Sequence, residues 1–163
     1  MREKRITPIF PTIWLWVDYA LLSAPGAPLK QALLDAKIGK DIYGSFEDGI
    51  KQTYFSIVAK GANLNQKEEF IKVIRDTLTK IAEEGIDKKA VTAGINYYEF
   101  RFREADFSSY PKGLMYGLDI LSSWLYDDTK PFCEVQLLEG FEFLKKALEE
   151  GYFEELIRKY LLD

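Results

Sequence analysis

The sequence predicts an α+β fold, in which an antiparallel sheet packs against helices. The first observation is a strict alternation of side chains from Gln52 to Asn63, which is typical of a strand with one packed face. The second is a shorter candidate strand from Ile42 to Phe46, with Glu47-Asp48-Gly49 supplying turn residues between the two. The third is helical spacing of apolar residues through most of the remaining chain. Because a two-stranded hairpin is marginal alone, we expect helices or further strands to cover it.

The alternation defines two faces of the longer strand. One face is small and apolar and the other is mixed, which suits a sheet with one side under helices and the other wet or facing a partner. The apolar face carries Thr53, Phe55, Ile57, Ala59 and Gly61, and the mixed face carries Gln52, Tyr54, Ser56, Val58 and Lys60.

Two helices with a bend between them are predicted before the hairpin. The first begins near Pro11 and runs to Leu22, after a strand-like arm, because proline suits the first helical turn. The second begins at Pro28 and ends at Gly39. The proline- and glycine-containing segment 23–28 is interpreted as a structural bend, since no glycine-rich phosphate-binding pattern surrounds it.

The clearest helix follows the hairpin. Asn65 is its expected cap, with Glu68 three residues later in the position of a capping box, and Gly85 ends it. We expect its apolar stripe to lie across the Phe55, Ile57 and Ala59 face of the sheet. That stripe consists of Phe70, Val73, Ile74, Thr77, Leu78 and Ile81.

Four further helices are predicted to complete the chain. Asp87 caps the first of them, which runs to Asp106, and Pro111 opens the second. The third ends at Gly151 and the fourth stops with the chain. Their apolar stripes are Val91, Ile95, Tyr98, Phe102 and Ala105; Leu114, Leu118, Leu121 and Leu125; Leu137, Phe141, Leu144 and Leu148; and Phe153, Leu156, Ile157 and Tyr160.

Composition bounds the class of protein. A chain of 163 residues is the size of one domain, and 47% hydrophobic and 15% aromatic residues exclude disorder. A net charge of -4 predicts no nucleic-acid partner. The single cysteine, Cys133, cannot form an intramolecular disulfide, so we expect a reducing, cytoplasmic location. Secretion is a minor alternative, because Pro8, Pro11 and Asp18 interrupt a signal-like amino-terminal pattern, and the same run is too broken to span a membrane.

The absence of histidine limits the possible chemistry. No histidine occurs in the sequence, which excludes histidine-based zinc sites and His-activated nucleophiles. Glu99 lies four residues before Arg103 on a predicted helix, so we interpret the pair as a solvated salt bridge. Glu99 has no visible second carboxylate beside it, so it is not predicted to be a catalytic acid. No catalytic, metal-binding or cofactor-binding residue is therefore predicted, although an enzyme using carboxylates and tyrosine is a weaker alternative.

Several stretches together resemble the pitrilysin or insulinase-like zinc metallopeptidases, in their presequence-protease branch. The match begins with DYALLSAPGAPLKQALLDAKIG at Asp18 to Gly39 and YFSIVAKGAN at Tyr54 to Asn63. It continues with NYYEFRFREADFSSYPKGL at Asn96 to Leu114, WLYDDTKPF at Trp124 to Phe132 and YFEELIRKYLLD at Tyr152 to Asp163. No segment is a catalytic signature by itself, but their order and spacing cover nearly everything after Val17.

The resemblance implies a non-catalytic role. Members of the family are much longer chains of four related α+β domains that close around unstructured peptides, with zinc held in the first domain by an inverted His-x-x-Glu-His motif. This sequence looks like the second domain, which supports the chamber. The resemblance therefore implies no zinc ligand here, and its partners would be the remaining domains of a peptidase. The alternative is a free-standing interaction or scaffold module that forms homo-oligomers.

Residues 1–16 do not look like the family and are expected to form an arm and a helix start before a single family domain at 17–163. Both ends look cut relative to the family. The sheet would then keep unpaired edges, which recruit partners. We therefore expect self-association. The arm Ile6 to Phe10 could pair with its own sheet or with that of a neighbouring copy, and Pro8 would fit only at a position where no N–H donor is needed.

Overall fold

The α+β class is confirmed. A computed structural model describes residues 9–47, 50, 53–105, 107–129, 131–132 and 138–162, which are mostly helical with a two-stranded antiparallel sheet. The α-helices and strands in chain order are α1 (Ile9–Asp18), α2 (Pro28–Asp35), β1 (Asp41–Glu47), β2 (Tyr54–Lys60), α3 (Lys67–Glu84), α4 (Lys88–Glu104), α5 (Lys112–Trp124), α6 (Leu138–Glu149) and α7 (Tyr152–Ile157). Short π-helical segments follow α1 at Tyr19–Ser23 and α7 at Arg158–Leu162, and a 3-10 turn at Leu64–Gln66 precedes α3.

The predicted hairpin is confirmed, with its expected faces. β1 pairs antiparallel with β2, so that Ile42 lies opposite Ala59 and Phe46 opposite Phe55. Phe55, Ile57 and Ala59 are half-buried against the core, whereas Tyr54, Val58 and Lys60 are exposed. The turn residues 48 and 49 lie outside the described residues.

The sheet packs mainly against α1, α2 and the segment Tyr19–Ser23, so the expectation that the α3 stripe lies across it is wrong. The Trp14 ring of α1 lies 6.1 Å from the Phe46 ring and 6.4 Å from the Phe55 ring, between centroids. The principal neighbours of α3 are α2, α7 and the segment after α7. Leu78 in its second half is consequently buried, while Phe70 and Ile74 in its first half are only half-buried.

The π-helical segment Tyr19–Ser23 is held between two glycines. A Cβ on Gly44 of β1 would lie 2.3 Å from Leu22 Cδ1 and 2.8 Å from Asp18 Oδ1. A Cβ on Gly94 of α4 would lie 2.3 Å from Cε1 of Tyr19. Both glycines therefore allow this segment to pack closer to β1 and α4 than any side chain would permit.

Two predicted boundaries are wrong. Ile9 and Phe10 belong to α1, so that part of the expected strand-like arm is helical. Pro11 is compatible with this earlier start, because the N–H groups of the first helical turn make no hydrogen bond within the helix. Residues 1–8 lie outside the described part. The cap before α3 is Asn63, whose N–H donates to Gln66 Oε1 at 3.0 Å, instead of the predicted Asn65 with Glu68, because a 3-10 turn begins the helix earlier.

The later helices agree with their predicted starts. Asp87 caps α4, where its carboxylate accepts from the N–H groups of Lys89 and Ala90 at 2.9 and 3.1 Å. Val91 and Ile95 of α4 are buried, as expected from the spacing. Pro111 precedes α5. The predicted positions Asp106, Cys133 and Leu137 lie outside the described residues.

Candidate functional site

Two properties of the described residues bear on the kind of site the chain could carry. No group of three histidine, cysteine, aspartate or glutamate side chains is placed to hold a metal ion in the described ranges. None of the helices described there is both long and apolar enough to cross a bilayer. The candidate features are exposed apolar surfaces and buried polar groups.

The main candidate is the apolar face of α5. Leu114 and Leu118 are each 52% exposed, and none of the residues of α5 is buried. The spacing of apolar residues predicted α5 correctly. An apolar helix face is usually buried against another part of the protein, but none of the described residues buries this one. Monomeric proteins rarely expose a contiguous apolar face of this kind unless it binds something.

Exposed aromatic side chains also flank α5 along the chain. Phe107 packs edge-on against Tyr116 of α5, with 5.1 Å between ring centroids, which fixes the start of the helix relative to the preceding turn. Aromatic residues with an apolar body and a polar tip are enriched where proteins bind other proteins. We call the following exposed side chains the α5 surface: Tyr110, Leu114, Leu118, Leu121, Trp124, Leu125, Tyr126 and Phe132.

The Glu99 and Arg103 pair predicted from spacing is confirmed, but it is not a simple solvated pair. Arg103 Nη2 donates to Glu99 Oε1 at 2.7 Å, and Lys145 of α6 donates to Glu99 Oε2 at 2.8 Å. The Glu99 side chain is only 13% exposed. The hydrogen bond from Lys145, and then that from Arg103, hold the pKa of the Glu99 carboxyl below its ordinary value. Sequence reasoning missed Lys145, which lies 46 residues away along the chain.

Glu99→Gln should remove a pH-dependent part of the stability. The carboxyl has a lowered pKa in the folded protein, so its contribution is present above its ordinary pKa of 4.5 and is lost as the pH falls through the folded value. The difference in unfolding free energy between wild type and Glu99→Gln should therefore shrink below pH 4.5. Urea denaturation at several pH values measures this. The exposed Glu83→Gln variant is the control, and an equal pH response in both variants would contradict the prediction.

Two acidic side chains are buried and only partly satisfied. Asp18 accepts from the Ser23 hydroxyl at 3.3 Å, and burial raises the pKa of its carboxyl. Glu154 Oε1 accepts from the Ile86 N–H at 2.9 Å and thereby ties α7 to the loop after α3. One oxygen of each carboxylate has no hydrogen-bond partner among the described residues.

Comparisons with known proteins identify relatives that are much longer. Protein HypA of Clostridium perfringens is 46% identical over 145 residues, which cover 89% of this chain and 15% of that protein. Presequence protease 1, chloroplastic/mitochondrial, of Arabidopsis thaliana is 36% identical over 153 residues, which cover 91% of this chain and 14% of that protein. Presequence protease, mitochondrial, of Xenopus laevis is 24% identical over 86% of this chain and 14% of its own length.

No protein-family model matches the chain. The chain spans about 15% of the length of the curated relatives it matches. Identity of 46% and 36% over about nine tenths of this chain is nevertheless far beyond what a shared fold alone would give. The chain therefore belongs to the presequence-protease branch of the pitrilysin family, and it corresponds to one short region of those proteins.

Proposed function

We propose that this chain is a non-catalytic structural region of a zinc metallopeptidase that degrades unstructured peptides. In this proposal it forms part of the wall of a peptide-enclosing chamber, at the position of the second domain of the family. The relatives from Arabidopsis thaliana and Xenopus laevis carry the name presequence protease, which supports a role in peptide degradation for the whole protein. A cytoplasmic location remains part of the proposal, resting on the single cysteine, whereas the names of those relatives specify organelles.

The zinc of such an enzyme does not fit this chain. The sequence has no histidine, and no metal-ligating cluster exists among the described residues. Zinc sites of metallopeptidases need histidine and glutamate ligands around an open position. In this proposal the metal and the hydrolytic step belong to another region of the parent protein.

The observation that carries the structural role is the α5 surface. Leu118 and Leu121 are 52% and 44% exposed, on a helix with only Lys112 and Asp119 as charged residues. Burial of apolar area is the main drive for permanent contacts between protein surfaces. Other regions of the parent protein, which supply about 85% of the length of the relatives, are the partners that this surface suits.

The second candidate is a free-standing interaction module that forms homo-oligomers. The same α5 surface supports it, because two copies could cover each other's apolar side chains. The two candidates differ in stoichiometry. A surface that belongs against other domains should drive weak association without a fixed endpoint, whereas a homo-oligomer of the intact chain should saturate at a defined mass.

The proposed function is tested first by measuring bound zinc and peptidase activity. The purified chain should hold no stoichiometric zinc and should cleave no unstructured peptide. Elemental analysis and a fluorogenic peptide assay with and without chelator measure this. One tightly held zinc per chain together with chelator-sensitive cleavage would overturn the proposal.

Light scattering over a concentration series then separates the two candidates. Leu118→Lys should reduce the association of the isolated chain, because it places a charge in the middle of the α5 surface. Ile71→Lys is the matched control, since Ile71 is 46% exposed on α3 and lies outside that surface. A saturating dimer or larger species lost only in Leu118→Lys would favour the homo-oligomer. Equal association of both variants would remove the α5 surface from either function.

A further inference from the structure

We propose that the groove between β2 and the start of α3 binds a medium-chain fatty acid, with the hydrocarbon chain in the groove and the carboxylate beside Lys67. Neither the chamber role nor the α5 surface requires this site. The inference therefore goes beyond the proposed function and stands or fails separately from it.

The groove is apolar along most of its lining. Its volume is about 340 Å³, which lies in the range of small-molecule sites. The lining includes the fully buried Ile38 and, at the start of α3, the half-buried Phe70. Ile57 and Ala59 of β2 are also half-buried there. A hydrocarbon chain in the groove would remove this apolar surface from water, which is the main drive for binding an apolar ligand.

Leu64 leaves one wall of the groove uncovered. It is 97% exposed, more than any other large hydrophobic residue that the structure describes. Two hydrogen bonds hold the turn that carries it: the Asn63 N–H donates to Gln66 Oε1 at 3.0 Å, and Gln66 Nε2 donates to the Lys37 carbonyl at 3.2 Å. Leu64 therefore sits on a fixed turn, where an apolar ligand would cover it without rearrangement of the backbone.

Lysine residues surround the end of the groove where β2 finishes. Lys67 lines the groove itself. Lys60 is the last residue of β2, and its carbonyl accepts from the Lys40 N–H at 2.7 Å. Lys37 is brought to the same end by its hydrogen bond with Gln66. These four lysines form no ion pair within the part of the chain that the structure describes.

The neighbouring acids leave this end of the groove positive. Asp41 lies opposite Lys60 in the sheet, but its carboxylate is paired with Lys30 at 3.1 Å. Glu68 and Glu69 lie in the first turn of α3, where both are exposed and neither lines the groove. The dipole of α3 adds a partial positive charge at the same helix end. The groove therefore suits an anion with an apolar body.

The volume of the groove selects a single short hydrocarbon chain. A methylene group takes up nearly as much space as a water molecule, about 30 Å³, so the groove holds a chain of about ten carbon atoms. A lipid with two long chains exceeds that volume. A carboxylate suits the lysine end, because an ammonium group pairs with it as a compact point charge. Decanoate combines these properties and serves as the probe.

Calorimetric titration of the full chain tests the ligand class. Decanoate, kept below the concentration at which it forms micelles, should bind saturably with one ligand per chain. Affinity should rise about fourfold for each methylene group added between hexanoate and decanoate, the gain expected for burying one methylene. Decanol should bind more weakly than decanoate because it lacks the charge, and decylamine should bind most weakly because the lysines repel it.

Two pairs of variants locate the site. Leu64→Ala should weaken decanoate binding about threefold, because it removes a wall that the hydrocarbon chain covers. Ile71→Ala is its control, since Ile71 is 46% exposed on α3 outside the groove. Lys67→Gln should weaken decanoate binding about threefold and leave decanol binding unchanged, with the exposed Lys72→Gln as its control.

The apolar α5 surface supplies an internal comparison. Leu118→Gln should bind decanoate as tightly as the wild type, and a loss as large as that of Leu64→Ala would place the ligand on α5 and overturn the proposal. Equal affinity for decanoate and decylamine, equal binding by Leu64→Ala and Ile71→Ala, or no saturable binding would also overturn it. Binding to anionic phospholipid vesicles without binding of decanoate would assign the lysines to a membrane surface and reject the fatty acid.

Discussion

Trp16→Ala should destabilise the fold by about 3–5 kcal/mol, the range for truncation of a buried Trp or Phe. The Trp16 side chain is 1% exposed and lies where α1, α4 and α6 meet. Its ring contacts Tyr98 edge-on with 5.0 Å between centroids, and Phe141 with 6.1 Å. Truncation would leave a cavity between three helices, none of which can close it without moving the others.

Two matched variants make this result specific. Leu15→Ala changes the preceding residue, whose side chain is 39% exposed, and should cost much less. Trp16→Phe keeps an aromatic ring and removes the indole N–H, which has no partner among the described residues, so it should cost less than Trp16→Ala. Urea denaturation of the three variants measures these differences. A Trp16→Ala midpoint no lower than that of Leu15→Ala would contradict the packing described for α1.

The hairpin was predictable because its information is local. Period-two alternation fixed which side chains of β2 face the core, and a single register with β1 follows from pairing Ile42 with Ala59. The Asp87 cap of α4 is equally local, since its carboxylate bonds only to the next turn. Both features depend on residues close in sequence, which is why sequence reasoning placed them correctly.

The partners of each helix were not predictable in the same way. Helical spacing shows that α3 and α5 have apolar faces, but it does not show what covers them. Trp14 of α1 occupies the sheet face that was expected for α3, and the α5 face has no covering among the described residues. The sequence does carry one local sign of this packing: Gly44 in a strand and Gly94 in a helix mark places where another segment approaches closely.

The candidate surfaces depend on long-range contacts for the same reason. Lys145 reaches Glu99 across 46 residues, so no spacing rule indicates the third member of that network. An apolar groove lined by Ile57, Ala59 and Phe70 likewise joins β2 to the start of α3, and no spacing rule indicates it.

Leu78→Ala should cost about 2–5 kcal/mol, because it empties a fully buried position of α3. Leu78 is 2% exposed and belongs to the core, and α3 packs there on α2 and α7. Lys72→Ala, on the exposed side of the same helix, should cost little. Ile74→Ala should fall between the two, because Ile74 is only half-buried.

The order of these three variants decides how α3 is oriented. An α3 lying across the sheet would make Ile74→Ala as costly as Leu78→Ala, since both residues would then be covered equally. If α3 packs on α2 and α7, truncation to Ala should cost more stability in the second half of α3 than in the first. The burial of Leu78 and the half-burial of Ile74 indicate this order. Denaturation midpoints of the three variants measure that gradient directly, and equal midpoints for Ile74→Ala and Leu78→Ala would reject the packing described for this helix.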